Sequence, residues 1–167
     1  MREKVFLSMI FLLAVATDQA SKLAVHSIFN LYDSRHILGN VLRLSYIRNS
    51  GAVFGMRFAD PTVMLVLTGL VILLLAYLFI TGKIETGNLA GKAALMLVLG
   101  GAIGNFIDRI RMREVIDFID MGIGSYRWPT YNLADMYITV GMVVLIFYHL
   151  IFAVKPADSD GNPPETA

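Results

Sequence analysis

Four groups of polar residues interrupt an otherwise apolar chain: Asp18 with Lys22, Asn105 with Asp108 and Arg109, Asp117 with Asp120, and Asn132 with Asp135. Bringing an ionisable group to membrane depth costs at least about 2.5 kcal/mol, so each is a candidate for function. The run Val115-Ile116-Asp117-Phe118-Ile119-Asp120 embeds two carboxylates in apolar residues with no obvious cation beside either, and one of them is expected to do chemistry. If Asp117 and Asp135 meet at the mouth of a helix bundle, low dielectric and mutual repulsion leave the pair one shared proton near neutral pH. Such a pair activates water. The ionised member takes a proton from water as it attacks a peptide carbonyl, and the protonated member donates to the carbonyl oxygen and then to the leaving nitrogen, as in aspartic proteases.

Each group also has a plainer explanation. Asn132 can N-cap a helix with Asp135 at its third position, an arrangement worth about 1 kcal/mol with the helix dipole. Asp18 and Lys22 lie one helical turn apart and can pair on one face, either as an interfacial pair with a snorkelling lysine or as a brace for a site at that membrane face. Asn105 and Arg109 share the same spacing, and Gly100, Gly101 and Gly104 before them permit close helix packing. Arg109 can pair with a carboxylate or hold a substrate carbonyl; spacing leaves both open.

Composition removes other chemistries. With no cysteine there is no thiolate nucleophile, disulfide or Cys-ligated zinc. The chain has no Gly-x-Ser-x-Gly elbow and no His-Glu-x-x-His pair. His26, His36 and His149 lack metal-ligand spacing and read as interfacial or packed imidazoles. Fourteen Lys and Arg against 13 Asp and Glu give a net charge of +1, which advertises no nucleic-acid partner.

The elements that must position these groups are membrane helices. The 167 residues are 56% hydrophobic and 16% charged, with a mean hydropathy of +0.65, as for a membrane protein of one domain. Four spans are expected, over about 5–25, 62–81, 89–107 and 133–154, given roughly 20 residues per crossing. Pro61 and Gly82 punctuate the second, and Lys155 with Pro156 stops the fourth. Residues 156–167 read as a disordered cytoplasmic tail. The first span has an alternative as a secretory signal, with Arg2 and Lys4 ahead of it and Ala14-Val15-Ala16 resembling a cleavage site; the return of apolar Leu23, Ala24 and Val25 favours a retained helix.

Four crossings put both termini on one side and the long loops, 26–60 and 108–132, on the other. Counting Lys92 at the start of the third span, five Lys and Arg lie with the termini and eight with the long loops. The positive-inside rule therefore opposes cytoplasmic termini, whereas the short basic N-terminal flank favours them. In the first loop Leu42, Leu44 and Tyr46 alternate with Arg43, Ser45 and Ile47 ahead of a turn at Asn49-Ser50-Gly51, and a second apolar stretch follows at 52–58. Strand periodicity of this kind predicts a small amphipathic β element on the membrane surface, placed to clamp or cover a site. The expected fold is an all-α integral membrane protein, four transmembrane helices with a small extracytoplasmic β element.

Five blocks then carry a resemblance over nearly the whole chain: Asp18-Gln19-Ala20-Ser21-Lys22, Arg48-Asn49-Ser50-Gly51-Ala52-Val53-Phe54-Gly55, Gly104-Asn105-Phe106-Ile107-Asp108-Arg109, Val115-Ile116-Asp117-Phe118 and Tyr131-Asn132-Leu133-Ala134-Asp135. In this order and spacing the chain resembles the lipoprotein signal peptidases, the bacterial signal peptidase II family. The resemblance implies a multi-pass inner-membrane aspartyl endopeptidase without metal. It would cut lipid-modified prolipoproteins before a diacylglyceryl-modified cysteine, on the periplasmic or outer-leaflet side. It makes Asp117 and Asp135 the catalytic pair. Asn49, Asn105, Asp108, Arg109, Asn132 and Ala134 would line or brace the pocket, with Asp18 and Lys22 supporting it and Asp120 followed less strictly. Prolipoproteins and membrane lipids are the implied partners, and a monomer is expected. Where the family usually has Gly shortly before the Val-x-Asp-Phe block, this chain has Arg113, beside Glu114. Two other classes would also use membrane carboxylates. A small proton-coupled transporter would depend on Asp18, and a metal-dependent lipid phosphotransferase would hold Mg²⁺ with Asp108, Asp117, Asp120 and Asp135.

Overall fold

The computed structural model describes residues 1–53, 56–57, 60–84 and 86–152. The first helix, α1, spans Arg2–Ile28. It is followed by strands β1 (Ser34–Leu38), β2 (Leu42–Asn49), β3 (Ala52–Val53) and β4 (Met56–Arg57). Helix α2 (Pro61–Ile80) begins at Asp60, whose side chain accepts the Thr62 N–H at 2.8 Å, with Pro61 in the first turn where its missing N–H leaves nothing unpaired. Helix α3 (Leu89–Met112) is capped by the Asn88 side chain, which accepts from the Ala90 and Gly91 N–H groups. Strands β5 (Val115–Ile123) and β6 (Tyr126–Arg127) lead to α4 (Leu133–Phe152). All four helices are long and apolar enough to cross a membrane.

Helix α3 is central, packing on α4, α1 and α2. Its glycines let the partners approach: a Cβ on Gly101 would lie 2.4 Å from the Ala134 carbonyl oxygen of α4. Leu7, Leu95, Met96 and Leu99 form the apolar core at the terminal end of the bundle. At the other end Val25 and Phe29 pack with Tyr46, Ile116 and Phe118, fastening α1 to the sheet.

Two expectations need correction. The fold is not wholly all-α, because both long loops contribute to a four-stranded antiparallel sheet in the order β1-β2-β5-β6. The partner of β2 is β5, from the second loop, and not the apolar stretch that follows β2; β3 and β4 instead pair with each other. The 115–120 run is apolar because one face packs on α1, and its backbone groups are satisfied by β2 and, at Phe118 and Ile119, by Tyr131. Strand β2 is therefore an inner strand of the sheet. The second correction concerns α3, which carries Asp108 and Arg109 within the helix and not in the loop. No breaker intervenes until Arg113, whose left-handed backbone (φ 61°) ends it with its N–H donating to the Arg109 carbonyl. A glycine, the residue the resemblance implies at this position, adopts that conformation without strain. The tail at 156–167, and Phe54, Gly55 and Phe58 of the apolar stretch at 52–58, lie outside the described residues.

Candidate active site

Where α1, α3, α4 and β5 meet, the polar residues converge on a buried lysine. The Lys22 ammonium donates to Asp18 Oδ2 at 2.8 Å, to Asp108 Oδ2 at 3.0 Å and to Asn105 Oδ1 at 2.9 Å, using all three of its protons. Lys22, Asp18 and Asp108 are almost wholly buried, so the lysine braces the site and does not snorkel. Asp18 Oδ1 accepts the Ala134 N–H at 2.9 Å, and Asp108 Oδ2 accepts the Ile116 N–H at 3.2 Å. Through these bonds one charged cluster fixes the first turn of α4 and the start of β5, the two segments that carry Asp135 and Asp117. Such a cluster is stable only because every member is paired; removing one leaves an uncompensated charge in low dielectric. Gly104 admits it, since a Cβ there would sit 2.4 Å from Asp18 Oδ2.

Two asparagines connect this cluster to the carboxylates. Asn105 Oδ1 faces Lys22, which turns its Nδ2 toward Asp135 Oδ1 at 2.8 Å. Asn132, fully buried, donates Nδ2 to Asp117 Oδ1 at 2.7 Å and to Asn105 Oδ1 and the Ile116 carbonyl at 3.2 Å. Its Oδ1 accepts the Asp135 N–H, and its own N–H donates to Asp135 Oδ2. The capping arrangement read from the sequence is therefore present, and it leaves Asp135 in the site: cap and site are one structure. Asn49 completes the shell by donating to Asp117 Oδ2 at 3.0 Å. A bulge in β2 between Leu44 and Ile47 sets this register, with Ile47 opposite Asp117 and Asn49 diagonal to it on the same face.

Asp117 is pushed up to about 7, first by burial and then by the negative charge of Asp135; the bonds from Asn49 and Asn132 and the charge of Lys22 act the other way. It therefore holds a proton over a range where ordinary aspartates are ionised. The guanidinium of Arg109 is half-buried near the pair and bonds only weakly, to the Asn105 carbonyl at 3.4 Å; among the described residues it forms no ion pair. From Asp135 an open cleft of about 850 Å³ runs between α4 and the β5–β6 hairpin, lined mostly by apolar side chains that include Met136, Val140 and Trp128.

All ten residues marked in the sequence meet here: Asp117, Asp135, Asn49, Asn105, Asp108, Arg109, Asn132, Ala134, Asp18 and Lys22. Asp120 does not join them. Strand alternation turns it to the opposite face of β5, where it pairs with Arg127 at 2.7 Å. Asp18 and Asp108 share the single charge of Lys22, and Asp120 pairs with Arg127, so each of those carboxylates already has a cationic side chain against it. Gln19 is the site residue that sequence reasoning passed over. Its Nε2 donates to Asp18, to the Gly104 carbonyl and to Asp108, and the available signal was a second polar residue beside Asp18 inside an apolar helix. The imidazole of His26 is packed against Tyr46, bonding its hydroxyl at 2.8 Å.

Residues 10–152 match the family described as signal peptidase (SPase) II. The lipoprotein signal peptidase of Syntrophus aciditrophicus is 38% identical over 143 residues, covering 80% of this chain and 85% of that protein. The Staphylococcus aureus lipoprotein signal peptidase is 35% identical over 149 residues, covering 87% and 90%. Two bacterial membrane enzymes solved by the in meso method superpose on the fold. The one at 2.3 Å resolution gives a TM-score of 0.79 at 31% identity over 97% of this chain and 94% of that one. The other, at 1.9 Å, gives 0.78 at 33% identity over 88% and 94%. Likeness in sequence and in fold spans nearly the whole molecule, and the chain belongs to the signal peptidase II family.

Proposed function

We propose that Asp117 and Asp135 are the catalytic pair with which this protease removes signal peptides from lipoproteins. The observation that carries the assignment is the buried Asn132, whose amide bonds Asp117 on one side and caps Asp135 on the other. The dyad's proton is written on Asp117, the member raised to about 7. Asp135, open to the cleft, takes a proton from water as the water oxygen attacks the scissile carbonyl. Asp117 donates its proton to the carbonyl oxygen. Collapse of the tetrahedral intermediate breaks the C–N bond, and the proton gained by Asp135 passes to the departing amine. The Asp117 proton returns from the hydroxyl as the new carboxyl group forms. Arg109 is placed to hold a substrate carbonyl near the pair.

The substrate in this reading is a diacylglyceryl-modified prolipoprotein cut before its lipidated cysteine. Its acyl chains and signal helix bring the bond in sideways through lipid, to the level where helix ends and sheet meet. A monomer in the bacterial inner membrane, with four spans, cytoplasmic termini and the site toward the outer leaflet, agrees with this geometry. Helix α1 contributes Asp18, Gln19 and Lys22, so it must be retained in the working enzyme. The test is a gel-shift assay on a diacylated prolipoprotein with purified wild-type and Asp117→Asn enzyme, each with and without chelator. Cleavage by the wild type in chelator and none by the variant is expected. Chelator-sensitive turnover would favour a metal-dependent reaction, and substantial cleavage by the variant would remove Asp117 from the mechanism.

A further inference from the structure

Beyond the carboxylate pair, the hairpin tips carry large apolar and aromatic side chains that no described residue covers. Tyr126 is 88% exposed, Ile123 79% and Trp128 66%. The β5–β6 turn lies against the β1–β2 turn, with the Gly122 N–H donating to the Val41 carbonyl and the Arg127 guanidinium to that of Asn40. The exposed Leu38 and Val41 of the second turn therefore extend the same edge. An apolar edge of this kind on a folded protein marks a contact surface.

Two observations say what it contacts. The edge runs on without a break into a lipid-facing helix: Ile123, Tyr126 and Trp128 line the same cleft as Met136 and Val140 of α4, which is apolar enough to cross a membrane. Its chemistry is also that of the boundary layer and not of the hydrocarbon centre. An indole N–H and a phenol each put a polar tip on an apolar body, the combination that sits where acyl chains meet headgroups.

We infer that the β5–β6 tip, with the β1–β2 turn beside it, is seated in the headgroup–acyl boundary of the leaflet that holds the Leu133 end of α4. Its partner is the lipid surface, and Trp128 and Tyr126 are the anchors. This seating opens the cleft to lipid and holds Asp135, at its inner end, at a fixed depth. The inference stands apart from the catalytic assignment, because it concerns where the sheet lies and not what the carboxylates do.

Trp128 is the single tryptophan of the chain, so the native protein carries its own reporter. The experiment reconstitutes the full-length protein in phospholipid vesicles and compares tryptophan emission with unlabelled lipid, with lipid brominated near the carboxyl end of the acyl chain, with lipid brominated near the methyl end, and with aqueous iodide. The expected result is an emission maximum to the blue of tryptophan in water. Intensity should fall most with bromine near the carboxyl end, less with bromine near the methyl end, and least with iodide, independently of protein density. Dominant quenching by iodide would place the tip in water and overturn the inference. Strongest quenching by the methyl-end bromine would place it in the membrane core, overturning it equally. Protection from every quencher, varying with protein density, would make the edge a contact between copies of the chain and likewise end it.

Discussion

Helix α2 and the polar junction of α1, α3, α4 and β5 are built on opposite terms. Every α2 residue is at least partly exposed, the helix packs mainly on α3, and among the described residues it contributes no side chain to the site. The junction buries three aspartates, a lysine and two asparagines with scarcely any exposure. In α2 Leu75 and Phe79 pack on the core, but most apolar side chains face lipid whether the helix is packed or free, so its sequence is constrained mainly by hydropathy. In the junction each polar atom has a named partner, so one substitution leaves others unpaired in low dielectric. Membrane residence is therefore written in the periphery and chemistry in the exceptions to it.

The largest effect that can break this contrast lies in the dyad. Asp117→Asn and Asp135→Asn should each reduce cleavage of a lipidated precursor by at least about 10²–10⁴-fold, the usual contribution of a positioned acid or base. Membrane insertion and thermal unfolding in detergent should change much less. Substantial residual proteolysis in either purified variant would falsify the pairing. Next comes Lys22→Met, which keeps the volume and removes the charge shared by Asp18 and Asp108. A loss of about 3–5 kcal/mol in folding stability is expected, as for breaking other buried ion pairs. Adding Asp108→Asn should recover part of it, which a double-mutant cycle measures. Strict additivity would mean that the two groups do not act as one cluster.

A third effect is a pH limb. Asp117 sits near 7, so if the working enzyme needs its proton, turnover should fall by about tenfold per pH unit above that point. Asn49→Ala removes one of the bonds that hold the carboxyl down, and should move the limb to higher pH. A flat profile from pH 6 to 9 would show that Asp117 is not the proton donor. Stability follows the same sign. Asp117 binds its proton more tightly folded than unfolded, so the group favours the folded state at low pH, and that contribution is lost as pH rises through about 7.

How much of this was legible in the sequence follows the same division. The four helices could be read because a membrane enforces hydropathy over 20 residues at a time, and Pro61, Gly82 and Asn132 mark ends by local backbone chemistry. The pairing of β2 with β5 could not, because its strands lie in different loops and β5 is buried on both faces from Val115 to Phe118, masking alternation. Without that pairing the residue pattern alone did not separate Asp117 from Asp120; the family resemblance singled out Asp117, and strand alternation puts the two on opposite faces. The role of Gln19 was hidden for a related reason: a neutral amide in an apolar helix raises no charge signal, yet it bonds two of the buried carboxylates. Sequence spacing did bring Asp18 to Lys22, but nothing local linked that pair to Asn105 and Asp108 on α3.

The smallest effects separate the two regions most sharply, because they ask for opposite responses from modest changes. Arg113 ends α3 in the left-handed region, where a side chain is strained by about 1 kcal/mol and glycine is not. Arg113→Gly should therefore raise stability by about 0.5–1 kcal/mol and leave turnover intact, since the backbone there already has the conformation glycine prefers. Leu73→Ala on α2 deletes apolar bulk from a membrane helix and should do less. The side chain is 68% exposed toward lipid, and a helix separated from the bundle but still in the bilayer would present it to lipid equally, so the transfer term cancels. A change within about 0.5 kcal/mol is expected, with kcat unaltered. If Leu73→Ala instead slows cleavage while thermal unfolding is unchanged, α2 touches the lipidated substrate, and the division between a lipid-facing periphery and a working junction must be redrawn.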